Sequence, residues 1–342
     1  MAHGNLPVTR SVQPEDTEED TNMQRILISL ILSFLCCAVA HAQPYPARPI
    51  NLIIPFAAGG PTDLLGRTLA AKLTDVIGQR VIVENRPGAG GSVAAEYTIR
   101  SAPDGYTIML ITVGTQTINP FVFDKIGYDP LKDFSYITTI GNYELVLLVN
   151  PNTPQKTLTE LIAYGKANPD KMNFGSGGVG TTSHLAGELF SKSQGIKAQH
   201  APYKGSAAAL NDVIAGNLTF LFDVISTGAP PVDAGRVRAL GVSGPKRSAL
   251  LPGVPTMAEQ GITGFDVTGW MGVAGPAGMP PQVIARLHQA IAESVRAPDF
   301  QQRLAQQAFE AAIISPEEFL ARVKADYAKW GAVVKASGAS AN

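Results

Sequence analysis

Two glycine-rich segments stand where a strand would hand over to a helix, and both suit an anion. Gly175-Ser176-Gly177-Gly178-Val179-Gly180 follows a short apolar run and precedes a helical pattern. A helix N-terminus presents unpaired N–H groups and the positive end of the helix dipole, and glycines let a ligand approach that backbone. Thr181, Thr182 and Ser183 add hydroxyl donors. The segment also spells the G-x-G-x-x-G of dinucleotide sites, which needs an acid about 20 residues on for the ribose hydroxyls. Positions 198–202 are Ala-Gln-His-Ala-Pro, so no nucleotide cofactor is expected. Phe56-Ala57-Ala58-Gly59-Gly60-Pro61-Thr62-Asp63 offers the same device earlier in the chain. Gly59 and Gly60 would expose N–H groups and Thr62 a hydroxyl. Asp63 reads either as the cap of a helix starting at Leu64 or as the partner of a ligand amine, hydroxyl or bound water.

Catalytic patterns are missing. The sequence has no G-x-x-x-x-G-K-[ST] and no G-x-S-x-G. Ser243-Gly244-Pro245-Lys246 spells S-x-x-K without its partner motifs. His184, His200 and His288 lack metal-ligand spacing, so no metal is expected. His184 and Glu188 read as an i,i+4 helix-face pair. No carboxylate pair is marked out for acid–base work, so no enzyme activity is expected. Three residues are open to two readings each. Trp270, in Thr268-Gly269-Trp270-Met271-Gly272, packs a core or stacks on a ligand. Tyr203, before Lys204-Gly205-Ser206, lines a cleft or simply packs. Asp223 ends the apolar run Phe220-Leu221-Phe222, which would put it at the ligand edge of the second sheet or away from it.

The elements that must position these groups alternate. Ile50–Phe56 has strand length, and Leu65, Leu69, Leu73 and Val76 follow at helical spacing, ending near Gly78. Arg80–Asn85 repeats the strand, Pro87–Gly91 the turn, and Ser92–Arg100 a helix that Ser92 should cap. A third strand, Tyr106–Thr112, brings Thr112 to the same edge as the first glycine turn. Further on come a long apolar run, Leu145–Val149, and a helix at Leu158–Asn168. A strand near Met172–Phe174 leads to helices at Thr182–Gln194 and Ala207–Gly216. Strands at Leu218–Phe222, Val237–Val242 and Val267–Val273 follow, and helices at Pro281–Arg296, Phe300–Gln307 and Pro316–Ser337 end the chain. Alternating strands and helices predict an α/β fold with a mostly parallel sheet, its ligand edge at the carboxyl ends of the strands. Leu145–Val149 would carry the chain into a second lobe and Val267–Val273 would carry it back, a clamshell plan.

Composition bounds the rest. The 342 residues are 45% hydrophobic and 16% charged, enough apolar material for a sizeable core and too little charge for a disordered chain. Lys and Arg total 27 against 28 Asp and Glu, so nothing favours nucleic acid. Residues 26–40, ILISLILSFLCCAVA, are shorter than the ~20 residues of a membrane span. With Arg25 before them and Ala40-His41-Ala42 after, they read as a secretory signal cleaved after Ala42. The five acids between Glu15 and Asp20 do not suit such a signal. Translation is therefore expected to start at Met23, with 1–22 an extension outside the native protein and 23–42 the signal peptide. Both cysteines, Cys36 and Cys37, then leave with the signal, which excludes disulfide and thiolate chemistry from the mature chain. Removing 1–42 takes away two basic and five acidic side chains, leaving 25 against 23.

The ordered motifs resemble the Bug-type solute receptors, the periplasmic binding proteins of tripartite tricarboxylate transporters. The matching stretches are Tyr45-Pro46-Ala47-Arg48-Pro49-Ile50, Pro55–Asp63, Val83-Glu84-Asn85-Arg86-Pro87-Gly88-Ala89-Gly90-Gly91, Asp104-Gly105-Tyr106-Thr107, Tyr128-Asp129-Pro130, Asp133-Phe134, Gly175–Leu185, Tyr203-Lys204-Gly205 and Leu251-Pro252-Gly253-Val254-Pro255-Thr256. The resemblance runs over essentially the whole mature chain. It implies a two-lobe, type II-like periplasmic binding fold with two crossover segments, lobe 1 being 43–143 with 266–342 and lobe 2 being 144–265. It implies a small carboxylate ligand held by backbone amides and waters, with no obligatory Arg or Lys, and delivery to membrane permease subunits by a periplasmic monomer. Residues expected at the ligand are Phe56, Ala57, Gly59, Gly60, Thr62, Asp63, Thr112, Ser176, Gly177, Gly178, Gly180, Thr181, Tyr203 and Asp223. Val224-Ile225 and Gly275–Pro280 are variable ground within the resemblance. The alternatives are a sensor subunit for a membrane kinase and a hydrolase on the same scaffold, which would need a Ser, a His and an acid brought together.

Overall fold

The computed structural model describes residues 45–340 together with Met1, Ala2, Gly4 and Arg25. The expected signal peptide apart from Arg25, the expected start at Met23 and both cysteines lie outside the described residues. Tyr45–Asn342 form one compact unit.

The opening strand–turn–helix unit forms as its pattern requires. Strand β1 (Ile50–Ile54) is buried along its length and pairs in parallel with β2 (Val81–Asn85) and β3 (Thr107–Thr112). Helix α1 (Pro61–Ile77) lays Leu65, Leu69, Leu73 and Ile77 into the core and stops at Gly78 in the left-handed conformation. Its start departs from expectation. Gly60, not Asp63, is the N-cap, because Pro61 has no N–H to satisfy and suits the first helical position. Ser92 is likewise not a cap: Gly90 and Gly91 take positive φ, so the chain enters helix α2 (Ser92–Ile99) through a glycine turn.

The α/β class holds, but the ten-stranded sheet is mixed rather than mostly parallel. Its order is β2-β1-β3-β9-β4-β7-β5-β6, with β8 and β10 also paired to β4. Strand β5 is Asn173–Ser176, β6 Gln199–Pro202, β7 Phe220–Val224, β8 Arg238–Val242, β9 Thr268–Pro276 and β10 Phe309–Ala311. Strand β4 (Phe134–Val149) is one continuous 16-residue strand, far longer than the run at Leu145–Val149. Over Phe134–Glu144 it pairs antiparallel with β9, and over Leu145–Leu148 with β7. One strand therefore serves two sheet halves, with parallel β1, β2 and β3 at one end and parallel β5, β6 and β7 at the other. Antiparallel β4 and β9 between them are what the alternating pattern did not reveal. Ser243 marks the crossing point: its Oγ accepts from Leu145 N at 2.9 Å and donates to Val267 O at 2.8 Å.

Four more helices matter for the site or the core. Helix α5 is Thr182–Gln194, α6 Ser206–Ala215 and α7 Ile225–Asp233, following the short α3 (Asn119–Val122) and α4 (Leu158–Ala167). Helix α8 (Pro281–Arg296) buries Val283, Leu287, Ala290, Ile291 and Val295 at helical spacing. Trp270 belongs to the core. It is 1% exposed, donates Nε1–H to Asp326 Oδ2 at 2.7 Å and meets Phe319 edge-on.

Candidate functional site

The carboxyl ends of β1, β3, β5 and β7 bring Phe56, Thr112, Gly177 and Asp223 to one cavity of about 50 Å³. Four helices start on it. Their N-caps, Gly60 of α1, Thr181 of α5, Gly205 of α6 and Val224 of α7, all line its wall. Only Thr181 caps with its side chain, accepting from His184 N at 3.3 Å. The N–H groups of Thr182 and Ser183 have no partner among the described residues, as first-turn amides do unless capped. Each helix adds roughly half a positive charge at this end. No Lys or Arg lines the cavity.

Asp223 is the one side chain in this wall that ordinarily carries charge at neutral pH, and it is fully buried. Burial pushes its carboxyl up to about 6, against the hydrogen bonds that hold it down. Val224 N–H donates to Oδ1 at 2.9 Å and Thr227 Oγ1 donates to Oδ2 at 2.8 Å. Tyr143, from β4, faces the cavity with its hydroxyl 3.1 Å from Thr182 Oγ1. Burial pushes this phenol up to about 12, so it stays neutral.

Four of the glycine amides are not the free donors that the loops suggested. Gly177 N–H donates to Ser183 Oγ, Gly178 N–H to Ser176 Oγ and Gly180 N–H to His184 Nδ1. Gly59 N–H donates to Asp63 Oδ2 at 3.0 Å, and Ala57 N–H to Lys204 O at 3.2 Å. The glycines shape the loops, while the unpaired amides belong to the helix starts behind them. Asp63 lies off the cavity wall. Burial raises its carboxyl, but Arg67, the Gly59 amide and Asn85 outweigh that and hold it below the usual range.

Beneath the second loop two imidazoles stack, His184 on His200, with centroids 4.0 Å apart. His184 Nδ1 accepts from Gly180 N–H, and its Nε2 lies 3.6 Å from Glu188 Oε1. His200 Nε2 lies 2.6 Å from Ser176 Oγ, and burial with the neighbouring His184 pushes its pKa down to about 3. A Ser–His pair therefore exists, set away from the cavity. Ser176 is fully buried and absent from the cavity wall, and no carboxylate among the described residues orients His200.

Of the residues singled out in the sequence, Phe56, Gly60, Thr62, Thr112, Gly177, Thr181 and Asp223 meet at this cavity. Gly178 and Tyr203 line a neighbouring cavity of about 220 Å³ instead, where Tyr203 turns its hydroxyl away to Asp212. Ala57, Gly59, Asp63, Ser176 and Gly180 touch neither wall. Tyr143, Gly205, Ser206 and Met271 line the first cavity without having been expected, and Val224, variable ground in the resemblance, lines it as well. Gly205-Ser206 was legible, being a glycine ahead of a helix start. Tyr143 and Met271 carried no signal, because their places depend on the register between β4 and β9.

Residues 65–339 match the family model described as the tripartite tricarboxylate transporter family receptor. Protein BugT of Bordetella pertussis (strain Tohama I) is 34% identical over 322 residues, 93% of this chain and 99% of that protein. The structure of periplasmic binding protein BugD superposes with a TM-score of 0.83 at 34% identity, covering 86% of this chain and 99% of that one. R. palustris Rpa4515, solved with adipate, gives 0.83 at 33% identity over 86% and 98%. The chain belongs to the tripartite tricarboxylate transporter receptor family, the Bug-type periplasmic solute-binding proteins.

Proposed function

We propose that the protein captures a small carboxylate between two lobes and hands it to the membrane components of a tripartite tricarboxylate transporter, without altering it chemically. The observation that carries this reading is the convergence of four helix N-termini on a single cavity that contains no basic side chain. Such a wall holds an anion by amides, hydroxyls and dipoles. Three or four hydrogen bonds to a charged group, each contributing roughly 1.5–3 kcal/mol, approach the ~8 kcal/mol of micromolar binding. The adipate in Rpa4515 agrees with a carboxylate ligand. The lobes are 43–143 with 266–342 and 144–265. The change of partner along β4 between Glu144 and Leu145, and the Ser243 bridge to Val267, support boundaries at those points. Ligand binding favours the closed arrangement of the lobes, which the membrane components read.

The test is a thermal-shift screen of ligand-free protein against a carboxylate panel, with product analysis alongside. A dose-dependent rise in Tm with an acid that is recovered unchanged supports the reading. No rise with any acid, or conversion of the acid, rejects it.

A further inference from the structure

The cavity at the helix starts is too small to hold a whole metabolite. Its 50 Å³ accommodates a few waters or one carboxylate head. Past Phe56 and Gly177, which line both spaces, lies the second cavity of about 220 Å³. It is larger than the roughly 150 Å³ of dry cavity that accepts a benzene ring in another protein. Phe56, Phe123, Val179, Pro202 and the ring of Tyr203 give it apolar walls. Two of its polar groups are turned to the protein: Gly178 N–H is bonded to Ser176, and the Tyr203 hydroxyl to Asp212. Lys204, exposed at the rim, is the one cation in its lining.

The first cavity points the same way. Val224 and Met271 face it, both buried and apolar, and its only charged side chain is Asp223. With room there for one carboxylate head, a second would have to be buried between the apolar walls of the second cavity, at a desolvation cost. Resting on the carboxylate reading above, we infer that the ligand is a monocarboxylic acid with an apolar body of about benzene size. Its carboxylate sits at the four helix N-termini and its body passes Phe56 into the second cavity. Phe123 and Val179, one from each lobe, grip that body and set specificity.

The probes are phenylacetate, acetate, succinate, malate and adipate, titrated calorimetrically into protein stripped of ligand by unfolding and refolding. Phenylacetate should bind at least about tenfold more tightly than acetate and than each dicarboxylate, since it alone fills both cavities. V179W, which fills the second cavity, should remove most of the preference for phenylacetate over acetate. F123A, which enlarges it, should lower the same ratio about threefold or more and serves if V179W does not fold. A dicarboxylate that binds most tightly, its far end paired with Lys204, overturns the inference and leaves the carboxylate reading intact. An unchanged phenylacetate-to-acetate ratio in the variants also overturns it. Failure of all five acids to bind rejects both.

Discussion

At the residue scale Asp223 stands out as a carboxylate buried in the wall of a cavity where four helices start. Its side chain is fully buried, so the folded state prefers it protonated, with a pKa of about 6 against 3.8 for the free residue. Between those values the folded chain binds more protons than the unfolded chain. This group therefore makes stability fall as pH rises from about 4 to about 6, by roughly 3 kcal/mol at most. In Asp223→Asn that contribution is gone. Urea midpoints measured at pH 4.5 and 7 should separate the two proteins, the wild type losing more stability on going to pH 7 than the variant. Equal pH dependence in the two would reject the burial-driven shift. The sequence placed Asp223 at the end of an apolar strand, and that was enough to bring it to the cavity. It could not place Tyr143 or Met271, because β-register between distant segments leaves no local trace.

At the element scale the helix starts frame the cavity, and they were the more legible part. Gly60, Thr181 and Gly205 precede apolar-periodic runs, a pattern with a physical cause in the unpaired first-turn amides. What the sequence obscured was which amides stay free, since hydroxyls and an imidazole from the helices fold back onto the glycine loop. Thr181 ties both layers together. Its Oγ1 accepts from His184 N and donates to Gly178 O at 2.7 Å. Thr181→Ala should cost about 1 kcal/mol of unfolding free energy through the lost cap. It should also weaken carboxylate binding, because the loop loses its tether. Thr181→Ser keeps the oxygen and should restore both. A variant that loses stability but binds as tightly as wild type would confine Thr181 to a structural role.

At the scale of the whole molecule the two lobes were implied by runs that looked able to carry the chain across and back, but the means was not. A single 16-residue strand makes the crossing, antiparallel to its return, and no alternation pattern distinguishes it from two short strands. Under the proposed boundaries Ala57 belongs to one lobe and Lys204-Gly205 to the other, and the two meet. Ala57 N–H donates to Lys204 O, and a Cβ built on Gly205 would stand 3.4 Å from that of Ala57. A disulfide needs a Cβ separation of roughly 3.5–4.5 Å, so a small adjustment would allow one. Gly205 has φ 165°, an extended backbone open to any residue. With Cys36 and Cys37 in the expected signal, the double variant A57C/G205C would carry just the new pair in its mature form. If the lobes must part to admit ligand, the oxidised variant prepared ligand-free should take up its acid at least about tenfold more slowly than the reduced form. The same variant oxidised after loading should hold its acid through dialysis, and dithiothreitol should restore exchange in both cases. Equal exchange before and after reduction would mean that the ligand enters without the lobes opening, and the clamshell mechanism would fall.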